Sequence, residues 1–290
     1  MRNLLLYGTT DYGPNLNSSD NLKFNELSKN FKTYVITFGQ ENNYINHDIV
    51  EIKYIKKPKI LFFQYLKFYF FNLINVKNFC VENNIDIISS KDPISAFIPT
   101  LIKTYFIKDI KIVIEHHGDF LNLLLNQRRF KNNLIIKLLA NFLSSFTYKK
   151  CDLIRGVEEN YTFNLAKHYS KEFITFPAWV DYSNYKIQNL KRKNLVYVGN
   201  IIPRKGVDFL IKAFHEFSQE NNFKEKLLIV GDNQNTKYFN ECQKIIKDKN
   251  IENIEFIGKK SPKELSLIYS SSKLLVMASN FEGLPRVLIE

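Results

Sequence analysis

Two glutamates near the end of the chain flank a turn, and carboxylates at this spacing can bind the hydroxyls of a sugar. The stretch SNFEGLPRVLIE covers residues 279–290, with Glu282 before the turn and Glu290 eight positions later. Carboxylates accept hydrogen bonds from hydroxyls, including the vicinal hydroxyls of ribose or a hexose. The spacing predicts contacts to sugar hydroxyls at both ends of one segment.

The turn between the two glutamates is predicted to face a phosphate. Gly283 lets the chain turn sharply, and Pro285 suits the first position of a helix, where its missing N–H costs nothing. The amides of Gly283 and Leu284 would then lie at a helix N-terminus, whose partial positive charge favours anions. In a plainer interpretation both glutamates are favourable charges at a helix N-terminus, which explains Glu282 but not its pairing with this turn.

A second anion site is predicted earlier in the chain, in the stretch VGNIIPRKGVDFLIKAF at residues 198–214. A strand runs into a loop that holds Arg204, Lys205 and Gly206, and a helix begins at that point. Free N–H groups at the start of a helix form an anion site, and two adjacent cations strengthen it. A solvated basic turn is the plainer alternative.

The predicted elements that carry these residues alternate between strands and helices. The first half predicts strands at 2–7, 33–38, 49–55, 85–89, 110–116 and 151–156, and helices at 16–30, 59–83, 93–107, 132–150 and 158–170. The second half predicts strands at 194–199, 227–231, 254–258 and 273–279, and helices at 206–220, 236–249 and 262–270. Three strands of the second half end in glycine, which permits a close approach of the backbone to a ligand: Gly199, Gly231 and Gly258.

This alternation predicts an α/β fold with two tandem, doubly wound, Rossmann-like domains. Nearly continuous apolar strands separated by helices indicate parallel sheets covered on both faces. The polar, basic stretch at 184–193 is interpreted as a linker between an N-terminal domain at 1–183 and a C-terminal domain at 194–290. Ligands bind beyond the carboxyl ends of parallel strands, so a cleft between the domains is the expected site.

The charge of the chain argues against a nucleic-acid partner. The net charge is +12, and residues 1–185 contribute +6 (23 basic and 17 acidic side chains) while residues 186–290 also contribute +6 (18 and 12). Nucleic-acid binders usually concentrate their charge in a patch, helix or tail. The even distribution suits an anionic small ligand or an anionic membrane surface.

Cysteine usage and hydropathy indicate a cytoplasmic protein. The three cysteines are scattered and include no CxxC pair, which argues against a disulfide framework or a zinc site. The N-terminal apolar run is too short for a signal peptide, and no stretch reaches the roughly 20 apolar residues of a membrane span. Segment 53–77 mixes lysines with aromatic residues and is a candidate for peripheral contact with the inner face of the membrane, although a buried helix is the plainer interpretation.

Taken together, the motifs resemble the family 4 retaining glycosyltransferases of the GT-B fold, also described as glycosyl transferases group 1. The resemblance rests on the spacing Glu-x7-Glu in EGLPRVLIE, on VGNIIPRKGVDFLIKAF and on LLIVGDNQ, and it covers most of residues 190–290. It extends more loosely through EHHGDF, YKKCDLIRGVEEN and FPAWVD. It implies a GT-B architecture whose second domain is incomplete and C-terminally truncated here, because the family continues past its second glutamate.

The resemblance also implies roles for individual residues. Lys205 matches the lysine that binds the diphosphate of the sugar donor. Glu282 matches the glutamate that contacts the transferred sugar, and Glu290 matches the one expected at the ribose hydroxyls. The amides of Gly283 and Leu284 match the phosphate-facing turn of the family.

Other positions depart from the family pattern or allow a second interpretation. His117, in EHHGDF, matches the family histidine near the transferred sugar, with His116 less favoured and a buried structural histidine as the alternative. Asn200 stands where the family commonly has arginine, so Arg204 is expected to supply that charge. The first loop departs from the family's paired glycines, with Gly13 followed by Pro14, and the resemblance places the acceptor near Gly13.

The resemblance predicts transfer of a sugar, with retained configuration, from a nucleotide-diphosphate sugar to a glycan or lipid-linked acceptor in cell-surface polysaccharide or glycolipid synthesis. Negative charge grows on the leaving phosphate, and the sequence has no D-x-D pair to hold a metal ion there. Lysine, arginine and helix-terminal amides take this role, so neither a metal nor a cofactor is expected. Two alternatives stay open, namely a glycosyltransferase-like subunit or remnant that binds ligand without turnover, and a GT-B epimerase.

Overall fold

The chain forms two compact units, Met1–Pro177 and Ala178–Glu290. The computed structural model describes residues 1–10, 12–59, 72–116, 118, 134–176, 185–280, 282 and 285–290. Residues 60–71 of segment 53–77, the candidate for membrane contact, lie outside the described residues. The predicted domain limits at 183 and 194 stay a prediction.

The first unit is an eight-stranded sheet with helices between most of its strands. In chain order its elements are β1 (Arg2–Tyr7), α1 (Ser18–Ser28), β2 (Phe31–Gly39), β3 (Asn43–His47), β4 (Val50–Lys56), α2 (Leu73–Glu82), β5 (Ile87–Ser90), α3 (Phe97–Tyr105), β6 (Lys111–His116), α4 (Leu134–Lys150), β7 (Leu153–Gly156), α5 (Glu159–Tyr169) and β8 (Glu172–Thr175). The strand order is β3-β4-β2-β1-β5-β6-β7-β8, and β3 pairs antiparallel with β4 while the other pairs are parallel.

Two clusters of buried side chains lie on the two faces of this sheet. Strand β2 contributes Tyr34, Ile36 and Phe38 to one cluster and Val35 to the other. Successive side chains of a strand point to opposite faces, and this strand is buried at nearly every position on both of them. The prediction of a parallel sheet covered on both faces is confirmed for this unit.

Two edge strands of the first unit were not predicted from the sequence. Strand β3 has the sequence NYINH and strand β8 has the sequence EFIT, and both lie at the ends of the strand order. An edge strand buries fewer side chains than a central strand, so its sequence carries little apolar pattern. The polar residues of β3 also fit an edge, where they disfavour pairing with another chain.

The second unit is a four-stranded parallel sheet with the order β11-β10-β9-β12. Its elements are β9 (Asn194–Val198), a 3₁₀ turn (Pro203–Lys205), α6 (Val207–Glu220), β10 (Leu227–Val230), α7 (Thr236–Asp248), β11 (Ile254–Gly258), α8 (Pro262–Ser271), β12 (Ser272–Leu275) and a second 3₁₀ turn (Arg286–Leu288). Helices α6 and α7 pack Ile211 and Cys242 against Ile229 of the sheet in one buried cluster.

Two predictions for the second unit are corrected by the structure. The strand predicted at 273–279 ends at Leu275. The helix predicted to begin at Pro285 is a single 3₁₀ turn, and Pro285 precedes it with an extended ψ of 105°. Hydrogen bonds from Leu288 to Pro285 and from Ile289 to Arg286 span three residues instead of the four of an α-helix.

The part of the predicted linker that the structure describes is attached to the second unit. The amide of Lys186 donates to the Ser266 hydroxyl at 3.0 Å, and the amide of Gln188 donates to the Ser270 hydroxyl at 3.2 Å. Both serines belong to α8, so this segment lies along that helix. Within the described residues, no helix has the length and apolar composition needed to cross a membrane.

A core substitution in the first unit tests the packing of its central strands. Ile88 of β5 is fully buried, so Ile88→Ala removes buried methyl groups and leaves a cavity, at a cost of about 2–5 kcal/mol. We expect a lower urea midpoint for the first unit, measured by hydrogen exchange of its strand amides. Ile74→Ala, on the exposed face of α2 with 70% of Ile74 exposed, is the control and should change little.

Candidate functional site

The three glycines predicted at strand ends meet at the carboxyl edge of the second sheet. The amide of Gly231 donates to the carbonyl of Gly258 at 3.0 Å, and the amide of Gly199 donates to the carbonyl of Val230 at 2.9 Å. A Cβ on Gly231 would overlap the carbonyl oxygen of Gly199. Glycine at 231 therefore allows two adjacent loops to touch through their backbones at the edge where parallel sheets bind ligands.

The cation-bearing loop has a fixed backbone at its junction with α6. Gly206 ends the 3₁₀ turn and precedes α6 with a left-handed φ of +63°, a conformation that side chains disfavour. A Cβ at this position would also overlap the carbonyl oxygen of Ala278. The amide of Asn280 donates to the carbonyl of Arg204 at 3.0 Å, so the segment after β12 is bonded to this loop.

Both cations of this loop bind the carboxylate of Glu282. The Lys205 ammonium donates to Oε1 of Glu282, and Nη1 of Arg204 donates to Oε2 at 3.2 Å. The Ser279 hydroxyl donates to Oε1 at 2.7 Å. The side chains of Lys205 and Glu282 are 17% and 18% exposed, so water screens this pair only partly.

The surroundings of Glu282 keep its carboxylate ionised. Burial opposes ionisation, but the hydrogen bonds from Lys205 and Ser279 and the charges of Lys205 and Arg204 outweigh it, so the pKa of Glu282 lies below its ordinary value. Burial, helped by the negative charge of Glu282, raises the pKa of Tyr197. Glu282 is therefore suited to accept hydrogen bonds and not to donate a proton.

Glu290 makes its contacts outside the cluster formed by Arg204, Lys205 and Glu282. Its Oε2 accepts a hydrogen bond from the Tyr269 hydroxyl of α8 at 3.2 Å, and Nη2 of Arg286 lies 4.0 Å from Oε1. Burial and the charge of Glu290 raise the pKa of Tyr269. The structure thus brings Glu282 to the two cations and fixes Glu290 against α8. Gly283 and Leu284 lie outside the described residues.

The predicted site residues of the first unit are described in part. His117 lies outside the described residues. His116 is buried at the end of β6, with Nε2 3.1 Å from the Tyr148 hydroxyl and its ring stacked on that tyrosine, which is the structural role considered as the alternative. The carbonyl of Gly13 accepts a hydrogen bond from the Tyr54 hydroxyl at 3.2 Å.

The structure adds residues that the sequence analysis did not select. Ser279 and the backbone of Asn280 connect the segment before Glu282 to the cation loop. Asn200, at the position where the resembling family commonly has arginine, donates from its side-chain amide to Oε1 of Gln234 at 3.1 Å. Ser279 stands three residues before Glu282, and that spacing was a usable signal for a hydroxyl bonded to a carboxylate. The other contacts join distant segments and leave no local pattern.

The arrangement can bind an anion that also carries hydroxyls. An ammonium has three N–H groups and a guanidinium has five, so Lys205 and Arg204 can hold Glu282 and a further anion together. The start of α6 adds partial positive charge from the helix dipole. In the described part of the chain, no group of three or more metal-ligating side chains is placed to hold an ion.

Comparison with known proteins finds a family model that matches the region of this cluster. Residues 183–290 match the family model described as Glycosyl transferases group 1. An uncharacterized glycosyltransferase of Methanocaldococcus jannaschii is 26% identical over 216 residues, which cover 64% of this chain and 58% of that protein. An uncharacterized glycosyltransferase of Haemophilus influenzae is 24% identical over 182 residues, which cover 63% of this chain and 48% of that protein. The matched region thus spans between about half and three-fifths of these relatives.

Solved structures of other proteins share this fold. The sucrose-phosphate synthase of Thermosynechococcus elongatus gives a TM-score of 0.73 at 13% identity, covering 100% of this chain and 78% of that one. An Anabaena protein in complex with UDP and glucose gives a TM-score of 0.63 at 13% identity, covering 98% of this chain and 75% of that one. At these identities the likeness concerns the fold, and the predicted α/β fold with two Rossmann-like domains of the GT-B type is confirmed.

Substitution of Gly206 tests whether the backbone of the cation loop is fixed by packing. Gly206→Ala adds a Cβ that strains the left-handed backbone and overlaps the Ala278 carbonyl oxygen. We therefore expect the free energy of unfolding to fall by more than the roughly 1–2 kcal/mol that the left-handed backbone alone would cost. Gly258→Ala is the matched control, because Gly258 has φ +73° but no atom within 4 Å of its Cβ position. Equal thermal unfolding midpoints for the two variants would contradict the packing argument.

The lowered pKa of Glu282 predicts a pH dependence of stability. The pKa of Glu282 in the folded protein lies below the ordinary value of 4.5. The contribution of the ionised Glu282 to stability is therefore complete above pH 4.5 and is lost as the pH falls through the folded pKa. We expect Glu282→Gln to lower the thermal midpoint near neutral pH, and the difference from wild type to shrink below about pH 4.5. Glu216→Gln, on the exposed face of α6, is the control and should give a small, constant difference.

Proposed function

We propose that this protein is a retaining glycosyltransferase that moves a sugar from a nucleotide-diphosphate sugar to a glycan or lipid-linked acceptor. The observation that carries the proposal is the contact of Arg204 and Lys205 with Glu282 at the start of α6, inside the segment that matches Glycosyl transferases group 1. One protein of the same fold holds UDP and glucose, which supports a nucleotide-sugar donor.

In this proposal the cation loop binds the diphosphate of the donor. When the bond between the anomeric carbon and the diphosphate oxygen breaks, the electron pair stays on that oxygen and negative charge grows there. Lys205, Arg204 and the N–H groups at the start of α6 stabilise this charge, and the amides of Gly283 and Leu284 are proposed to add to them. These groups make transfer independent of a metal ion and of any cofactor.

Glu282 is proposed to position the transferred sugar. A carboxylate has about four acceptor sites, and hydrogen bonds from Lys205, Ser279 and Arg204 use three of them. One acceptor site remains for a sugar hydroxyl. Because two cations hold this carboxylate, it is a weak nucleophile, and retention is proposed to arise from departure and attack on the same face of the sugar.

The remaining site residues have proposed roles around this centre. Glu290, oriented by Tyr269, is proposed to accept hydrogen bonds from the ribose hydroxyls of the donor. His117 is proposed to lie near the transferred sugar, and the acceptor is proposed to bind in the first unit near Gly13. We place the reaction in the synthesis of cell-surface polysaccharide or glycolipid, in the cytoplasm at the inner face of the membrane.

Loss of Lys205 tests its part in the reaction. We expect Lys205→Ala to lower turnover by about 10²–10³, because one oriented donor to the leaving phosphate is lost. The assay measures sugar transfer and hydrolysis by the whole protein with a panel of UDP-, GDP- and dTDP-sugars, with and without EDTA. Lys212→Ala, an exposed lysine of α6, is the control and should retain normal turnover.

The same experiment separates an enzyme from a binding protein. Turnover that persists in Lys205→Ala would remove Lys205 from the mechanism, and inhibition by EDTA would contradict transfer without a metal. Calorimetric binding of UDP that depends on Lys205, without turnover of any donor, would instead indicate a glycosyltransferase-like protein that binds its ligand without catalysis.

A further inference from the structure

A small cavity in the first unit lies at the carboxyl ends of β1, β5 and β6. Its volume is about 30 Å³, and its polar lining includes Tyr12, Lys23, Ser89, Lys91 and Glu115. Ser89 and Glu115 stand near the last residues of β5 and β6. This edge of a parallel sheet is where ligands of such folds bind, and the residues listed here have no role in the donor site proposed above.

Lys23 is a mostly buried cation whose hydrogen-bond partner is neutral. Its ammonium donates to the Tyr12 hydroxyl at 3.1 Å and lies 5.6 Å from the ring centre of Tyr12 and 5.3 Å from that of Phe24. Within the described residues, its other two N–H groups make no hydrogen bond. Burial lowers the pKa of Lys23, and the negative charges of Glu115 and Asp20 oppose this in part.

The carboxylate of the cavity is already balanced by another cation. Glu115 accepts hydrogen bonds from the Ser89 hydroxyl at 2.7 Å and from Nη1 of Arg155 at 3.1 Å. The guanidinium of Arg155 lies over the ring of Phe176, with 3.6 Å between its central carbon and the ring centre. Lys23, Lys91 and Arg155 against Glu115 and Asp20 give three positive charges and two negative charges, a net of +1.

Such an arrangement fits the charged group of a small anion. A buried charge without an ionic partner is costly, and a carboxylate or phosphate beside Lys23 would use its free N–H groups and offset the excess positive charge. One water needs about 10–15 Å³ of such volume, so the cavity holds about two water-sized groups. That is enough for the outer oxygens of a phosphate or carboxylate and too little for a sugar ring.

We propose that this cavity binds the phosphate or carboxylate group of a small acidic ligand, with Lys23 at its buried end and Lys91 at its exposed end. The Tyr12 hydroxyl, which Lys23 holds, supplies a further hydrogen bond to the ligand. If the proposed glycosyl transfer is correct, on which this part rests, the ligand is an acceptor that carries such an acidic group.

The test measures anion binding in a chain whose donor site is disabled. In the Lys205→Met chain labelled with ¹⁵N, we expect inorganic phosphate or acetate to shift the amide signals of Tyr12, Phe24 and Ser89. Adding Lys23→Met should weaken this binding by about tenfold or more, because a charge-assisted hydrogen bond is lost. The anion that binds more tightly identifies the ligand group as a phosphate or a carboxylate.

Matched variants keep this test independent of folding and of the proposed transfer. Lys29→Met changes an exposed lysine just after α1 and should leave anion binding intact. Methionine at 23 can lie against Phe24, so the thermal midpoint should not fall. Unchanged anion binding in Lys23→Met, or no shift at the cavity with either anion, would overturn the proposal. Neither result depends on UDP binding, which is measured separately at Lys205.

Discussion

In the second unit, one carboxylate binds two adjacent cations and offsets part of their charge, and the arrangement of the surrounding segments depends on this contact. Arg204 and Lys205 precede α6, and their mutual repulsion adds to the positive end of the helix dipole. Glu282, 77 residues after Lys205 in the chain, binds both and is itself held by Ser279. This contact joins the segment after β12 to the start of α6 and explains why the two segments are also bonded through the backbone of Asn280.

Much of the fold follows from apolar periodicity, and the exceptions have physical causes. Central strands such as β2 and β5 pack on both faces, so their residues are buried at nearly every position, and both strands were predicted correctly. Strands β3 and β8 lie at sheet edges, where fewer positions are buried and the pattern is weak. The turn after Pro285 was predicted as a helix because proline is common at the first helical position, but this does not ensure that a helix follows.

The part of the candidate site that lies within one short stretch of sequence could be predicted. The loop with Arg204 and Lys205 has a charge pattern and a following helix, and these predict an anion site without any tertiary information. The pairing of both cations with Glu282, and of Glu290 with Tyr269, depends on contacts between distant segments that no spacing reveals. No sequence pattern in α1 marks Lys23 as part of a site, because the groups that surround it come together only when the chain folds.

The left-handed residue between Lys205 and α6 has a consequence for how a ligand is received. A Cβ at Gly206 would overlap the Ala278 carbonyl oxygen, so the backbone packs closely there, and the amide of Asn280 is bonded to the carbonyl of Arg204. The main chain under both cations therefore has little freedom. The conformational entropy of this loop is therefore lost once, when the protein folds, and not again at each encounter. A ligand of the proposed anion site would meet positive groups that already stand in position, and reorganisation would be confined to the tips of two side chains.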